Sequence, residues 1–456
     1  MTPLVFPPGF RWGAATSAFQ IEGATTLDHR GESIWDRFAA TPGRIGDGSD
    51  GRRACDHYHR WPEDVALMRG LGLGAYRFSI AWPRVQPSGR GPVNPAGLDF
   101  YHRLVDGLLA AGITPFATLY HWDLPQALED GGGWATRATV DAFADYADAV
   151  TRRLGDRVRH WMTINEPWCV AVLGYEQGAH APGHRDPALA LRAAHHALLA
   201  HGRAVPVIRG NAPGAEVGIV VNLVPAEPAT AAAADRDAAR WFDGFFNRWY
   251  LDPLYRGAYP ADAIADRVAR GHLPGADLPF VDDGDLAAIA TPTDFLGVNY
   301  YNPVVVRADP AEPQRVAQVP TDAPRTDMGW EVRPSGLHQL LVRLHTEYQP
   351  ARIYVTENGA AYDDPIDPDG HIADVRRIAY LRGHLGATAR ALADGVPVAG
   401  YFHWSLLDNF EWAYGYTKRF GLIHVDFTTL RRTPRASAQV YRAIVAANAV
   451  EPEPSS

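Results

Sequence analysis

The sequence predicts an α/β fold, a single (β/α)8 TIM barrel with elaborated loops after its strands. Three observations favour this fold: apolar runs recur eight times, the runs are rich in β-branched and aromatic residues, and each is followed by a stretch with helical periodicity. The runs cover residues 10–18, 75–82, 114–122, 160–167, 216–224, 294–301, 352–357 and 398–406. Strands that alternate with helices pair in parallel through right-handed crossovers, and eight such units close a barrel without a free edge.

The segments between the runs carry apolar stripes that predict amphipathic helices. In residues 98–109 the apolar side chains on one helical face are Leu98, Tyr101, Leu104, Val105, Leu108 and Leu109. In residues 140–154 they are Val140, Phe143, Ala147, Val150 and Leu154. An open, doubly wound sheet is the alternative. It is disfavoured because no glycine-rich phosphate-binding turn follows the first run.

The chain shows neither a Ser/Gly-rich linker nor a solenoid repeat. This predicts one barrel over residues 1–450 and a short polar tail over 451–456. The proline-rich stretch 303–329 follows the sixth strand and the acidic stretch 361–374 follows the seventh, where barrel loops form the rim of an active site. The aspartates of the second stretch lack the spacing of a calcium-binding loop, so no metal is predicted there.

Composition argues against several classes of function. The chain has 456 residues and a formal net charge of −9. A nucleic-acid partner is not expected, because phosphate binding needs a basic face. No uncharged apolar run is long enough to predict a membrane span. Two cysteines, Cys55 and Cys169, are too few for a disulfide framework, and residues 1–10 show no export signal, so a cytoplasmic location is expected.

Polar residues and tryptophans follow the predicted strands, at the end where a barrel carries its active site. They are Gln20, Glu22, Arg77, His121, Trp122, Asn165, Glu166, Asn222, Asn299, Tyr301, Glu357, Asn358, Trp404, Asp408, Glu411 and Trp412. Carboxylates and amides bind hydroxyl groups, while indole rings stack on the C–H faces of sugars. The mixture therefore indicates a carbohydrate site.

Two glutamates, Glu166 and Glu357, close the fourth and seventh runs, each beside an asparagine. For one such glutamate alone, an ion pair with an arginine such as Arg77 explains its position equally well, because a buried carboxylate needs a partner. Two in one barrel favour glycoside cleavage by paired carboxyl groups. One must carry a proton and the other must be ionised, a form that Arg77 and the Tyr301 hydroxyl would stabilise.

Four segments of the chain resemble the signatures of glycoside hydrolase family 1. They are residues 10–23, 163–167, 356–359 and 404–412, and the likeness extends from about residue 6 to residue 441. The resemblance implies a retaining β-glycosidase on a (β/α)8 barrel. No cofactor or metal is expected, because the sequence shows neither a metal-binding cluster nor a phosphate-binding turn. It also implies that Glu166 is the acid/base and Glu357 the nucleophile.

The resemblance assigns further roles residue by residue. It implies that the sugar is bound by Gln20, His121, Asn165, Glu411 and Trp412, with Trp404 beneath its ring and Asn165 at its 2-hydroxyl. Arg77, Asn299 and Tyr301 would surround the nucleophile. Trp168 and Trp330 would form walls on the leaving-group side, with His180 nearby.

The substrate expected from this resemblance is a neutral O-glycoside, with β-D-glucosides favoured. Relatives that act on 6-phosphorylated sugars lack the counterparts of Glu411 and Trp412, and Phe420 stands where their phosphate-binding tyrosine is expected, on the sugar side of the site. Relatives that act on thioglucosides have a glutamine where this chain has Glu166. Galactosides, fucosides and transglycosylation stay open, as does the oligomeric state. A non-catalytic sugar-binding barrel is disfavoured, since it would have lost one of the two glutamates.

Some polar and aromatic residues have simpler explanations. Trp404 and Trp412 would also suit an apolar core. His195, His196 and His201 lie on an Ala-rich predicted helix, where packing is the expected role. Cys169 lies close to Glu166 in the sequence but has no histidine motif nearby, so no nucleophilic role is assigned to it.

Overall fold

The computed structural model describes residues 2–312 and 314–451. Eight parallel strands close a barrel, and each pairs with its neighbours in chain order, the last with the first. They are β1 (Arg11–Ala15), β2 (Ala75–Ser79), β3 (Thr114–Tyr120), β4 (His160–Asn165), β5 (Glu216–Asn222), β6 (Phe295–Asn299), β7 (Ile353–Asn358) and β8 (Val398–Trp404). The predicted barrel and its eight strands are confirmed. The predicted polar tail lies, from residue 452 onward, outside the described residues.

Helices connect successive strands and cover the barrel. The α-helices are Ala18–Ile21, Ile34–Ala40, His57–Gly70, Trp82–Val85, Pro95–Ala110, Gln126–Asp130, Ala138–Leu154, Pro187–Asn211, Ala233–Asp243, Trp249–Arg256, Ala261–Ala269, Asp285–Ile289, Pro334–Glu347, Val375–Ala393 and Ala436–Ala447. Wider π-helical turns form Cys169–Glu176 and Gly244–Arg248, and 3-10 turns form Gly133–Ala135 and Trp412–Tyr414. The helices predicted over 98–109 and 140–154 are confirmed. Within the described residues, none of the helices is apolar over enough length to cross a membrane.

The stretch 303–329 differs from the irregular loop that was predicted. Val304–Ala308 and Val316–Gln318 form a small sheet with Ala226–Pro228. Val304 and Val306 are buried against aromatic residues of the helix Ala233–Asp243, and this packing stabilises the strands. Two other two-stranded sheets pair Leu4–Val5 with Ala449–Val450 and Ile423–Val425 with Arg432–Pro434.

Large apolar side chains from successive strands fill the inside of the barrel. They are Phe116, Met162, Val220, Phe295, Tyr354 and Phe402. A packed interior leaves the carboxyl ends of the strands as the place where a ligand site forms.

Candidate active site

The two glutamates lie on the rim of the barrel, at the carboxyl ends of two of its strands. Glu166 directly follows β4, and Glu357 is the penultimate residue of β7. The register of both strands is interrupted here, between Met162 and Asn165 and between Val355 and Glu357, as happens where a strand end turns a side chain toward a site. Both glutamates are buried and line the same cavity.

Glu357 is held by two hydrogen-bond donors. Arg77 Nη1 donates to its Oε1 over 2.5 Å, and the Tyr301 hydroxyl donates to its Oε2 over 2.7 Å. Burial raises the pKa of Tyr301 well above its usual value, so this hydroxyl stays a donor. A guanidinium and a hydroxyl donor both favour the ionised carboxylate. These contacts are those that a carboxylate nucleophile requires.

Glu166 lies in a different environment. Its Oε1 accepts a hydrogen bond from Asn299 Nδ2 over 2.5 Å, and its Oε2 accepts one from the Cys169 thiol over 3.1 Å. Burial, followed by the charge of Glu357, raises the pKa of Glu166 to about 8. Both effects favour the protonated form of Glu166, the form that is able to act as an acid.

Asn165 links the surroundings of the two glutamates. Its Oδ1 accepts from Arg77 Nη2 over 2.6 Å and from Asn299 Nδ2 over 3.2 Å. Its Nδ2 lies 3.1 Å from Nε2 of His121. Burial lowers the pKa of His121 well below its usual value, so the imidazole is neutral and Nε2 accepts this bond. The proton of the imidazole then resides on Nδ1, which leaves a donor for a ligand.

A further carboxyl group, that of Glu411, lines the cavity beside two tryptophans. Gln20 Nε2 donates to Glu411 Oε2 over 3.3 Å. Burial, followed by the charges of Glu357 and Glu166, raises the pKa of Glu411 to about 8. The imidazole of His121 is nearly parallel to the rings of Trp404 and Trp412, at centroid distances of 5.9 and 5.8 Å. Rings and polar groups thus alternate on this side of the cavity.

The cavity has a volume of about 490 Å³, enough for a small oligosaccharide or an aryl glycoside. The predicted site residues that line it are His121, Trp122, Glu166, Trp168, His180, Asn222, Asn299, Tyr301, Trp330, Glu357, Trp404, Glu411, Trp412 and Phe420. Gln20, Asn165 and Arg77 are fully buried behind this lining. They contact it through Glu411, His121 and Glu357, respectively.

Aromatic residues also line the cavity around Trp168 and Trp330, which the sequence resemblance places on the leaving-group side. Trp168 stacks on Phe246 at a centroid distance of 4.1 Å, and Trp330 packs against Tyr301 at 5.1 Å. Burial lowers the pKa of His180 to about 3, so its imidazole is neutral. Such surfaces bind either a sugar ring or an aryl group.

Sequence reasoning missed several residues of this cavity. They are Cys169, Leu173, Gln177, Phe242, Phe246, Gln318, Met328 and Tyr414. Phe242 and Phe246 belong to a run rich in aromatic residues between 241 and 250, a signal in the sequence that could have pointed to them. Cys169 was noticed in the sequence, but its contact with Glu166 depends on the π-helical turn that begins there.

Two of the carboxyl groups singled out at strand ends have structural partners instead. Glu22 accepts hydrogen bonds from Arg84 and Tyr101, and Asp408 pairs with Arg435 and Arg419. Both carboxylates are thereby neutralised inside the protein, and neither lines the cavity.

The remaining candidates also have packing roles. His195, His196 and His201 are buried in the helix Pro187–Asn211, where they bond to Asp285, the Trp134 carbonyl and Thr163, which confirms the packing prediction. Over the part of the chain that the structure describes, no three His, Cys, Asp or Glu side chains are grouped to bind a metal.

This chain is similar to known proteins over nearly its full length. The model of glycosyl hydrolase family 1 matches residues 3–450. Beta-glucosidase A of Thermotoga maritima is 48% identical over 98% of this chain and 99% of its own length. A bifunctional beta-D-glucosidase/beta-D-fucosidase of Bifidobacterium breve is 46% identical over 97% of this chain and 98% of its own. The structure of the family 1 b-glucosidase from Thermotoga maritima in complex with isofagomine lactam superposes with a TM-score of 0.94 at 46% identity, covering 98% of this chain and 100% of the other. The chain belongs to glycosyl hydrolase family 1.

Proposed function

We propose that this protein is a retaining β-glucosidase that removes terminal, non-reducing β-D-glucosyl residues from short oligosaccharides such as cellobiose or from aryl and alkyl glucosides. The observation that supports this most strongly is the pair Glu166 and Glu357, which face one cavity with opposite hydrogen-bonding environments. Two carboxyl groups, one protonated and one ionised, are what a retaining glycosidase needs.

In the first step, an oxygen of Glu357 forms a bond to the anomeric carbon. The bond from that carbon to the leaving-group oxygen breaks, and the proton of Glu166 passes to this oxygen. The product is a glucosyl ester of Glu357 together with a free alcohol or sugar. Esterification removes the charge of Glu357, which is one of the two causes that raise the pKa of Glu166.

In the second step, the ionised Glu166 accepts a proton from water. The water oxygen attacks the anomeric carbon, and the ester bond to Glu357 breaks. Two displacements at the same carbon restore the β configuration. An alcohol that replaces water in this step gives transglycosylation, which uses the same residues.

The roles proposed for the binding residues are based on their contacts. Gln20 holds Glu411 in place, and Glu411 is proposed to accept hydrogen bonds from sugar hydroxyls. The neutral His121 is proposed to donate one from Nδ1. Asn165 is proposed to act at the 2-hydroxyl, and Trp404 and Trp412 to cover the C–H faces of the ring. Phe420 is proposed to contact the sugar, and Trp168, His180 and Trp330 are proposed to enclose the substrate nearer the leaving group.

A β-fucosidase side activity is a second candidate. It is favoured by the 46% identity to the Bifidobacterium breve protein, which is named for both activities. D-Fucose lacks the hydroxyl at the sixth carbon of glucose, which leaves a polar partner such as Glu411 with fewer bonds, and its 4-hydroxyl is axial, so a site that accepts both sugars also has to accommodate that hydroxyl. A role in cellulose breakdown and a cytoplasmic location remain predictions.

A panel of nitrophenyl glycosides tests the proposal. We expect hydrolysis of the β-glucoside with retention of configuration, weaker hydrolysis of the β-fucoside and β-galactoside, and almost none of the 6-phosphorylated glucoside. Polarimetry or proton NMR of the first-formed sugar reports the configuration. Release of the α-anomer, or preference for the phosphorylated substrate, would contradict the proposal.

A further inference from the structure

We propose that Cys169 is a positioning residue for the acid/base glutamate, because its thiol holds Oε2 of Glu166 and adjusts to both protonation states of that carboxyl group. The inference rests on the proposed function, since it requires Glu166 to act first as an acid and then as a base.

The geometry around the sulfur shows which way the hydrogen bonds run. Cys169 Sγ donates to Glu166 Oε2 over 3.1 Å, and Asn222 Nδ2 donates to the same sulfur over 3.4 Å. Since Asn222 supplies a donor, the sulfur is the acceptor on that side and its hydrogen is directed to Glu166. Burial, together with the nearby charge of Glu166, raises the pKa of the Cys169 thiol well above its usual value. The thiol therefore stays protonated and acts as a donor rather than a nucleophile.

The two hydrogen-bond partners of Glu166, Asn299 and Cys169, differ in whether their hydrogen can reorient when Glu166 gains a proton. Asn299 donates to Oε1 from Nδ2, an atom that cannot accept, and its Oδ1 accepts from Thr356 Oγ1 over 2.7 Å. The Asn299 amide is thus fixed in orientation, and a proton on Glu166 belongs on Oε2. A thiol, by contrast, rotates about its C–S bond. It donates to Oε2 when Glu166 is ionised and turns away when Oε2 carries the proton.

This adjustable contact suits a group that alternates between two roles. With the proton on Oε2 and the thiol turned away, the acid hydrogen is free to point toward a leaving-group oxygen in the cavity. After the proton has been transferred, the thiol turns back and stabilises the carboxylate, which then serves as the base. Removing the thiol hydrogen bond destabilises only the ionised form.

Other ionisable groups face Glu166 and remain in place when residue 169 is changed. They are Glu357, Arg77, Glu411, Tyr301, His121 and His180. Glu357 raises the pKa of Glu166 and Arg77 lowers it, whereas burial keeps Tyr301 and the two imidazoles neutral. A change at residue 169 therefore alters only the two hydrogen bonds of its sulfur, to Glu166 and from Asn222, against a constant background of charge.

The test is the pH dependence of kcat/KM in Cys169→Ala and Cys169→Ser. The alkaline limb of this profile is the fall of kcat/KM at high pH, as Glu166 loses its proton. In the alanine variant the carboxylate loses a donor, so we expect the midpoint of this limb to rise by about half to one pH unit. In the serine variant a stronger donor replaces the thiol, so the limb moves down. The acid limb should stay in place in both, because the contacts of Glu357 with Arg77 and Tyr301 are untouched.

Three further variants make the result interpretable. Cys55→Ala is the matched control: this buried thiol donates to the carbonyl of Asp408, so the alkaline limb should not move. Asn222→Ala removes the bond that directs the thiol hydrogen to Glu166, so the limb should move up, as in Cys169→Ala. This variant gives a second measurement if Cys169→Ala folds poorly. Glu166→Gln, assayed with an activated leaving group, should lose the alkaline limb.

The outcomes separate this inference from the proposed function. An alkaline limb that persists in Glu166→Gln overturns the assignment of Glu166 and this inference with it. A limb that disappears in Glu166→Gln but stays unmoved, or moves in one common direction, in the alanine and serine variants of Cys169 overturns only the positioning role. Opposite movements in those two variants support it, because a purely structural role would not change sign.

Discussion

Arg77 Nη1 lies 2.5 Å from Oε1 of Glu357, and both side chains are buried within the end of the barrel. The same guanidinium donates from Nη2 to Asn165, so one side chain of β2 orients groups on β7 and β4. A carboxylate in this position depends on its cationic partner, because an unpaired buried charge is costly.

Replacing Arg77 should therefore damage both stability and turnover. We expect Arg77→Met to lower the free energy of unfolding by about 3 kcal/mol and kcat/KM by at least about 10²-fold, since the charge of Glu357 is left uncompensated. Urea unfolding and steady-state kinetics measure the two effects. Arg77→Lys keeps the charge with fewer donors and should be intermediate. A methionine variant with normal turnover would show that Glu357 does not need this partner.

The fold was predictable because the signal is distributed along the chain. Each barrel strand is an apolar run followed by an amphipathic helix, so eight repetitions of one pattern indicate the barrel even where single ends are uncertain by a few residues. The strands Val304–Ala308 and Val316–Gln318 were not predictable, since they depend on packing against a helix distant in sequence.

The sequence identifies the site residues only by their position at the ends of strands, and this position alone does not separate site residues from structural ones. Glu166 and Glu357 lie at the ends of buried strands, but Asp408 also follows β8 and Glu22 follows β1. What distinguishes them is the cavity and not the partner: Glu357 pairs with an arginine, as Glu22 and Asp408 do, but of these four only Glu166 and Glu357 line the cavity. The bond from Cys169 to Glu166 is likewise a matter of three-dimensional geometry.

The pH dependence should report the proton on Glu166. Burial and the charge of Glu357 raise its pKa to about 8, so the acid form is present at neutral pH and is lost as the pH rises through that value. We expect kcat/KM to fall above about pH 8, as a titration of kcat/KM against pH would show. An alkaline limb near the ordinary pKa of a glutamate would contradict this environment.

Loss of the acid should depend on the leaving group. In Glu166→Ala we expect kcat/KM to fall by about 10³-fold on phenyl β-glucoside but far less on dinitrophenyl β-glucoside, whose leaving group departs without a proton. Parallel assays on the two substrates measure this difference. Equal losses on both would argue against protonation by Glu166.

Azide should distinguish the two glutamates by the configuration of the product. In Glu357→Ala a small anion occupies the vacated space and attacks once, so turnover should drop by several powers of ten and partly recover as α-glucosyl azide. In Glu166→Ala the anion attacks the glucosyl ester of Glu357, which gives β-glucosyl azide. NMR of the products decides between them, and the same anomer from both variants would contradict the assigned roles.

The most direct test is to trap the covalent sugar on the enzyme. A glucoside with fluorine in place of the 2-hydroxyl and an activated leaving group should inactivate the protein stoichiometrically, since the ester forms faster than it is hydrolysed. Peptide mapping by mass spectrometry should find the fluoroglucosyl group on Glu357. A label on any other residue, or an active preparation that hydrolyses the reagent without becoming labelled, would contradict the double-displacement mechanism.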